Sequence, residues 1–242
     1  MTLCIDIGGT GLKAAVLAED GTMAGDIART PTTYPMSPDK LVEELAGLAG
    51  HLPSHHRASA GFPGMVRSGV VLSAPHFVTK SGPGSELDPE LQARWSGYDL
   101  AAALSAKLGC PTRVDNDADQ QGAAVVLGRG LEMVITLGTG FGTALFSDGK
   151  LCPHLEIAHQ PFRHGQTYNE AIGEAARKDL GNERWSELVA RAVTNMEALT
   201  FYDHLYVGGG NAKKLKVDLG SKVTLVDNVS GILGGVKLWA MS

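Results

Sequence analysis

Two short glycine-rich segments carry residue types that bind phosphate, and the first lies near the start of the chain. Gly8, Gly9 and Thr10 follow an apolar run that contains one acidic residue, Asp6, and Lys13 comes soon after. Backbone N–H groups in such a turn bind anions, the carboxylate suits a metal–phosphate complex, and the ammonium can contact phosphate oxygens. The spacing differs from the GxxxxGK[ST] phosphate loop, and a plain glycine hairpin with an aspartate at its edge is the alternative.

The second segment repeats the pattern of the first. Gly138, Thr139 and Gly140 also follow an apolar run, and in both places a further apolar run and an Asp-Gly turn come next. A repeated strand–turn–strand pattern indicates two similar lobes. Two such turns that face each other would hold a polyphosphate chain from both sides, so the repetition favours phosphate as the ligand.

A third polar group, at residues 115–119, could do acid–base chemistry. Asn116, Asp117 and Asp119 lie where a short extended segment meets a predicted helix, and ligands of α/β sheets bind beyond the carboxyl ends of strands. Helix capping is the alternative, because Asn and Asp are favoured caps, but capping accounts for one or two residues of the group. We therefore predict a functional role for Asp117, which would serve as a general base for a sugar hydroxyl, with Asn116 beside it to orient that hydroxyl.

The elements that must position these residues alternate between strand and helix. A hairpin is predicted at 3–18, and the 81–96 stretch, with its Ser-Gly-Pro-Gly-Ser start, is predicted as a mobile surface loop. Helices are predicted at 38–52, 99–108, 118–127, 170–180, 184–199 and 231–240, and strands at 58–62, 69–73, 112–115, 204–207 and 222–226. This order predicts an α/β fold.

Composition excludes several classes of protein. The net charge is −5 at pH 7, which argues against a nucleic-acid partner, and 43% hydrophobic residues suffice for a sizeable core. Three scattered cysteines indicate plain thiols in a reducing compartment rather than a disulfide framework. No window approaches the ~18 unbroken apolar residues of a membrane span, and Asp6 interrupts the region where a signal peptide would be apolar. We expect a cytoplasmic protein without a membrane partner.

Six motifs, taken in order, resemble those of the ROK family of sugar kinases. They are Asp6-Ile7-Gly8-Gly9-Thr10, Gly61-Phe62-Pro63-Gly64, Asn116-Asp117-Ala118-Asp119, Leu137-Gly138-Thr139-Gly140, Glu156-Ile157-Ala158-His159 and Gly208-Gly209-Gly210-Asn211. The chain is most similar to the polyphosphate glucokinase branch of that family. The resemblance implies a two-lobed actin-like, hexokinase-like ATPase fold with duplicated ribonuclease H-like lobes. We expect the lobes at 1–117 and 118–228, with a C-terminal helix at 229–242 that can rejoin the first lobe.

The resemblance also implies roles for individual residues. Asp117 would take the proton of the sugar 6-hydroxyl, and Mg²⁺ near Asp6 would neutralise phosphate charge. The sugar-binding candidates are Gly64, Asn116, Glu156, His159 and Glu170, with the register between Glu170 and Asn169 left open. The phosphate- and nucleotide-binding candidates are Asp6, Gly8, Gly9, Thr10, Lys13, Gly138, Thr139, Gly140, Gly208, Gly209 and Gly210. Ala158 stands where the family has glycine.

Several alternatives stay open. The donor is ATP, inorganic polyphosphate or both, and the acceptor is glucose or another hexose such as mannose, fructose or an amino sugar. The lysines at 213, 214 and 216 are interpreted as a solvated face, with polyphosphate steering as the alternative. A loop metal site built from Cys152, His154, Glu156, His159 and His164 is the rival interpretation, but no structural zinc is expected because the family's cysteine run is missing.

A non-catalytic function is the remaining alternative. Some members of the ROK family are regulators, with a DNA-binding domain before the first glycine hairpin. Asp6 is expected to leave no room for such a domain, and the charge is acidic. We therefore expect an enzyme, and the resemblance implies a homodimer.

Overall fold

A computed structural model describes residues 1–227 and 231–241. The chain forms two compact units: a first unit of residues 1–124 together with 231–240, and a second unit of residues 125–227. The sequence placed the boundary at 117/118, whereas the chain divides after Ala124, because the helix that begins at Asp117 packs within the first unit. Of the predicted C-terminal segment, residues 229, 230 and 242 lie outside the described residues, as does residue 228 at the expected end of the second lobe.

The first unit is built on a five-stranded sheet with the order β3-β2-β1-β4-β8. Strands β1, β4 and β8 are parallel, and β2 is antiparallel to both of its neighbours. The strands of this unit are β1 (Thr2–Ile7), β2 (Gly11–Leu17), β3 (Ala28–Pro31), β4 (Arg57–Phe62), β5 (Val66–Arg67), β6 (Val70–Val71), β7 (Tyr98–Asp99) and β8 (Thr112–Asn116). Strands β5, β6 and β7 form a separate small sheet.

Four helices of the first unit follow from local capping chemistry. They are α1 (Pro38–Ala49), α2 (Pro89–Trp95), α3 (Leu100–Leu108) and α4 (Asp117–Ala123). Ser37, Asp88, Asp99 and Asn116 are their N-caps, and each side chain accepts a backbone N–H of the first turn. Gly109 ends α3 in the left-handed conformation, at φ 70°, which glycine adopts without a steric penalty.

The second unit repeats the arrangement with a five-stranded sheet of order β11-β10-β9-β14-β15. Its strands are β9 (Leu131–Leu137), β10 (Phe141–Ser147), β11 (Lys150–Leu151), β12 (Pro161–Arg163), β13 (Gln166–Thr167), β14 (His204–Gly208) and β15 (Val223–Leu225). Its helices are α5 (Tyr168–Ile172) and α6 (Glu174–Thr200), with short 3-10 helices at Ile157–His159 and Ala212–Lys214. The final helix, α7 (Gly231–Leu238), packs on β1 and α4 of the first unit.

Alternation along β1 explains the two-sided packing of the first sheet. Leu3, Ile5 and Ile7 are buried in the core cluster that contains the apolar face of α1, whereas Cys4 is buried in the cluster that contains Ile232 of α7. The second unit has its own core beneath α6. In the part of the chain that the structure describes, no helix combines the length and apolar composition needed to cross a bilayer.

Most predicted elements are confirmed. The helix predicted at 170–180 is interrupted at Gly173, where α5 ends before α6 begins, and the loop prediction at 81–96 is wrong. Both glycine hairpins form, as β1–β2 and β9–β10. The stretch 81–96 was predicted as a loop, but it contains α2, which Asp88 caps and which buries Leu91 and Trp95. The Trp95 indole donates a hydrogen bond to the Met36 carbonyl oxygen at 2.9 Å, so this segment belongs to the core.

Candidate active site

The first glycine turn joins β1 to β2 and has Asp6 and Lys13 at its base. The two residues are paired across the strands, with 3.0 Å between Lys13 Nζ and Asp6 Oδ2, and both side chains remain partly exposed. Gly8 N–H donates to the Gly11 carbonyl oxygen at 3.0 Å, and a Cβ at Gly8 would lie 2.8 Å from that oxygen. The turn therefore requires glycine at position 8, and it places a carboxylate and an ammonium beside a backbone bend of the kind that binds anions.

Three further residues hold this turn, and sequence reasoning missed all of them. The hydroxyl of Thr32 donates to the Gly8 carbonyl oxygen at 2.6 Å, and the hydroxyl of Tyr34 donates to the Gly9 carbonyl oxygen at 2.7 Å. The His76 ring packs against Gly9, where a Cβ would lie 3.2 Å from Nδ1, and burial lowers the pKa of His76. These contacts join segments distant in sequence, so no local pattern marks them.

The carboxyl ends of β1, β4 and β8 meet at one edge of the first sheet. Gly61 of β4 pairs with Asp6 on one side and with Asp115 on the other. The segments that follow the three strands are the first glycine turn, the loop with Gly64, and the Asn116-Asp117 junction. Ligands of α/β sheets bind beyond such an edge, so the register brings three of the predicted motifs to one place.

Asn116 connects two of these motifs directly. Its Nδ2 donates to the Gly64 carbonyl oxygen at 3.0 Å, and its Oδ1 accepts the Ala118 N–H at 2.8 Å. A Cβ at Gly64 would lie about 2.3 Å from the Ser73 carbonyl oxygen, so only glycine fits there. Asn116 is buried and caps α4, which leaves one hydrogen of its amide for a further acceptor.

Asp117 is the first residue of α4 and is half-buried. Its Oδ1 accepts the Ala118 N–H at 2.9 Å, which fixes the carboxylate at the edge of the sheet. Because Asn116 Oδ1 already caps the helix, capping and a chemical role for Asp117 are compatible. A general base needs this combination of fixed position and access.

The second glycine turn joins β9 to β10, and hydrogen bonds hold the carbonyl oxygens of Gly138 and Thr139. Asn211 Nδ2 donates to the Gly138 carbonyl oxygen at 3.1 Å, and Glu174 N–H donates to the Thr139 carbonyl oxygen at 3.1 Å. The Phe141 N–H donates to Asn169 Oδ1 at 3.0 Å, and a Cβ at Gly140 would lie about 2.3 Å from that oxygen. Sequence reasoning did not assign Glu174 to this turn.

The third glycine segment, Gly208 to Gly210, lies against the same turn. Gly209 has φ +89°, and a Cβ there would lie about 2.4 Å from the Leu137 carbonyl oxygen, so its backbone touches the end of β9. Asn211 N–H donates to that oxygen at 3.0 Å. Gly138, Thr139 and Gly140 thus adjoin Gly208, Gly209 and Gly210 within one unit.

The predicted sugar ligands of the second unit flank a 3-10 helix that packs on β10 and α5. Burial raises the pKa of Glu156, but the hydrogen bond and charge of His154 and the charge of His159 outweigh it, so the net pKa shift is downward. Ala158 is buried inside the turn, and His159 is exposed. Glu156 is therefore an ionised acceptor near two imidazoles.

The side chains of Asn169 and Glu170, the two candidates for the second sugar-binding residue of this unit, make different contacts. Asn169 faces the second glycine turn, as described above, whereas the Glu170 carboxylate accepts the Thr167 N–H at 2.8 Å and the Thr167 hydroxyl at 2.9 Å. This is a capping box at the start of α5, and its hydrogen bonds lower the pKa of Glu170. A sugar contact by Glu170 stays a prediction.

The carboxylate of Asp6 is the candidate ligand for Mg²⁺. This ion usually takes one or two protein carboxylates and completes its shell with water and substrate phosphates. Asp6 is a partly exposed carboxylate beside the first glycine turn, and its chemistry fits this kind of site. Within residues 1–227 and 231–241, no three His, Cys, Asp or Glu side chains form a group that could hold a metal.

The chain is similar to several known proteins. The ROK family model matches residues 2–156. The chain is 28% identical over 219 residues to the polyphosphate glucokinase of Mycobacterium tuberculosis, covering 87% of this chain and 77% of that protein. It is 33% identical over 157 residues to an N-acetylmannosamine kinase of Escherichia fergusonii, covering 62% of this chain and 48% of that protein.

Among solved structures, the chain is similar to the inorganic polyphosphate/ATP-glucomannokinase of Arthrobacter sp. strain KM. The TM-score is 0.79 at 30% identity, with 98% of this chain and 97% of that chain covered. The predicted α/β fold of the actin-like, hexokinase-like class is confirmed by this likeness. Within each unit, the antiparallel hairpin followed by parallel strands matches the predicted duplication.

Proposed function

Because the chain belongs to the ROK family, we propose that it transfers the terminal phosphoryl group of polyphosphate or ATP to the 6-hydroxyl of glucose or a related hexose. The chain is a sugar kinase. The observation that carries the proposed chemistry is the shared edge of β1, β4 and β8, where Asp117, Asn116, Gly64 and the Asp6 turn come together.

The proposed mechanism uses Asp117 as the general base. As the 6-hydroxyl oxygen forms a bond to the terminal phosphorus, Asp117 accepts the hydroxyl proton. The bond between that phosphorus and the bridging oxygen breaks, and its electron pair leaves with ADP or the shortened polyphosphate. Mg²⁺ bound near Asp6 would supply charge neutralisation to the phosphate oxygens.

The other candidates are assigned to binding. In the first unit, the backbone N–H groups of Gly9 and Thr10 and the side chains of Thr10 and Lys13 donate to phosphate oxygens. Gly8, whose own N–H bonds to Gly11, shapes the turn so that the phosphate can approach the backbone. In the second unit we assign that role to the segments Gly138 to Gly140 and Gly208 to Gly210. Sugar hydroxyls bind Gly64, Asn116, Glu156, His159 and Glu170. Phosphoryl transfer requires mainly positioning and charge stabilisation, which these groups supply.

The test combines a donor assay with one substitution. Purified protein is assayed with glucose and Mg²⁺, in parallel with ATP and with polyphosphate, and compared with the Asp117→Asn variant. Because Asn keeps the size but cannot accept the proton, we expect kcat to fall ~10²–10⁴-fold with a modest change in sugar affinity.

The matched control is Asp88→Asn, because Asp88 caps α2 in the same unit and Asn is an equally good cap. That variant should keep the activity of the unmodified protein. Full turnover by Asp117→Asn would exclude it as the base, and no transfer from either donor to any hexose would exclude the proposed reaction.

A different hexose is the second candidate acceptor. The similarity to an N-acetylmannosamine kinase is confined to 62% of the chain but reaches 33% identity. A coupled assay over glucose, mannose, fructose and N-acetylmannosamine ranks the acceptors by kcat/KM. The glucose proposal requires that glucose or mannose rank above the amino sugar.

We also propose a cytoplasmic homodimer. Cys4 and Cys110 are buried, reduced thiols, which suits a reducing compartment. The family resemblance supports the dimer, and sedimentation equilibrium measures it directly.

A further inference from the structure

A hydrogen-bonded network in the second unit is attached to the second glycine turn. The Glu174 carboxylate accepts two hydrogen bonds from Arg177, from Nε to Oε2 and from Nη2 to Oε1, both at 2.8 Å. Asn211 Nδ2 donates to Glu174 Oε2 at 2.7 Å as well as to the Gly138 carbonyl oxygen at 3.1 Å. Hydrogen bonds from Arg177 and Asn211 and nearby positive charge outweigh desolvation and lower the pKa of Glu174 to about 2, so the carboxylate is ionised at neutral pH.

Two lysines from different segments join this network. Lys214, half-buried in the 3-10 helix after Gly210, donates from Nζ to Asn211 Oδ1 at 3.0 Å. Lys178, on the first turns of α6, has its Nζ 3.5 Å from Glu174 Oε1, and its side chain is 70% exposed. An exposed ion pair on one helix contributes little by itself. Here Lys214, from a separate segment, bonds to Asn211, which in turn donates to the Glu174 carboxylate that pairs with Lys178.

The charges of the network do not cancel. Arg177, Lys178 and Lys214 contribute +3 and Glu174 contributes −1, which leaves 3 − 1 = +2. The Arg177 guanidinium is occupied by Glu174 and by Asn182 Oδ1, the latter at 2.8 Å. The surplus positive charge therefore resides on the two lysine ammonium groups, each of which has three donors.

The network also binds the carbonyl oxygens of the second glycine turn. The carbonyl oxygens of Gly138 and Thr139 accept Asn211 Nδ2 and Glu174 N–H, respectively, which occupies the groups that would repel a phosphate. Asn211 holds the Gly138 carbonyl and accepts a hydrogen bond from Lys214. Glu174 holds the Thr139 carbonyl through its backbone N–H and pairs with Lys178 through its carboxylate, so both lysines are linked to the turn. A phosphate bound at the turn would thus have two positioned cations beside it.

We propose that Lys178 and Lys214 form a subsite for the phosphates that follow the transferred one in the donor, and that Glu174 is a positioning residue which ties this subsite to the turn. The inference rests on the proposed function of that turn. The ligand chemistry is a linear chain of phosphates, whether in a nucleoside triphosphate or in inorganic polyphosphate. The lysine at 214 is then more than the solvated face that its sequence context favours.

Direct binding tests the subsite without turnover. Tripolyphosphate, longer inorganic polyphosphate and ATP are titrated calorimetrically into the unmodified protein and into the Lys178→Gln, Lys214→Gln and double variants, without sugar. Each lost charge-assisted hydrogen bond should raise Kd roughly tenfold. Lys222→Gln, which removes a lysine paired with Glu197 at 2.8 Å in the same unit, is the control and should leave Kd unchanged.

Steady-state kinetics separates this role from a structural one. The Lys variants should raise KM for the donor while kcat and KM for the hexose stay within about twofold. Glu174→Gln should raise the donor KM in the same way. A structural role alone would instead lower the melting temperature or change both KM values together, which would overturn the inference.

The outcomes distinguish ATP from inorganic polyphosphate as the ligand, and failure of the subsite proposal from failure of the proposed function. A larger loss for long polyphosphate than for ATP identifies inorganic polyphosphate, and equal losses identify the triphosphate portion common to both. Unchanged Kd for all three ligands in the double variant overturns the subsite. Absence of turnover in the unmodified protein, with lysine-dependent binding intact, contradicts the proposed function and leaves the subsite standing.

Discussion

Close contacts at the candidate site leave no room for a side chain at some glycines. Gly64 is the one whose substitution we expect to affect the binding of the sugar. Its Cα faces the Ser73 carbonyl oxygen and the Phe62 ring, and its own carbonyl holds the Asn116 amide. A methyl group at this position must push the loop away from Asn116. We expect Gly64→Ala to destabilise the protein by ~1–3 kcal/mol and to lower kcat/KM for the hexose more than for the donor.

The control for that substitution is Gly47→Ala in α1. A Cβ at Gly47 would meet nothing within 4 Å, and alanine is the better helix former, so stability should stay equal or rise by up to ~1 kcal/mol. Urea unfolding measures both variants. Equal stability of Gly64→Ala and the unmodified protein would mean that the Gly64 loop adapts without strain.

Among individual residues, the sequence identified those whose type is unusual for their position, and it missed those that act through contacts with distant segments. Asp6 in an apolar strand and Asp117 after a strand are visible in sequence, because a charged residue there is unexpected for packing alone. Thr32, Tyr34 and Glu174 hold the two glycine turns from other segments of the fold. Their residue types and spacing are ordinary, so no pattern distinguishes them.

Among the elements, the two hairpins were predictable because alternation, glycine turns and Asp-Gly turns all lie within short windows. Helix α2 was not, because its seven residues are too few for a clear apolar period and follow a Gly- and Ser-rich segment. What stabilises it is tertiary: Trp95 stacks on Phe77, with ring centroids 5.5 Å apart, and bonds to Met36. The Ser-, Gly- and Pro-rich start of residues 81–96 therefore did not predict that the rest of the segment forms a helix.

The stability of α2 gives a prediction at this scale. Asp88 Oδ1 accepts the Glu90 and Leu91 N–H groups at 3.0 and 3.2 Å, so Asp88→Ala leaves both donors without the cap. We expect a loss of ~1 kcal/mol in the free energy of unfolding, whereas Asp88→Asn should lose little. Chemical denaturation followed by tryptophan fluorescence checks both variants. An equal loss in the two variants would assign the effect to charge rather than to capping.

For the whole molecule, two sheets with the same pattern of neighbours account for the two glycine turns, since each sheet needs its own turn after its first strand. The repeat could be seen in the sequence because the hairpins are local. The division of the chain after Ala124 depends on where α4 packs, and that packing is set by α7 from the far end of the chain. Long-range packing of this kind leaves no periodic signal in the segments concerned.

Each unit also contains a buried weak acid whose pKa is raised to about 12. Burial raises the pKa of the Cys4 thiol to about 12 in the first unit. In the second, burial and the hydrogen bond to Glu132 raise the pKa of Tyr206 to about 12. In the unfolded chain these groups ionise near their ordinary pKa values of 9.0 and 10.0.

Linkage fixes the sign of the effect on stability. Above pH 9 the unfolded state binds fewer protons than the folded state, so the free energy of unfolding falls as pH rises, until the folded groups ionise near pH 12. The decrease is at most about 1.4 kcal/mol per pH unit for each group. Urea unfolding at pH 8 to 11 should show it, with Cys4→Ala reducing the slope from pH 9 and Tyr206→Phe reducing it from pH 10. A slope that neither substitution changes would show that other groups control alkaline unfolding, and that the folded-state protonation of these two side chains contributes nothing to it.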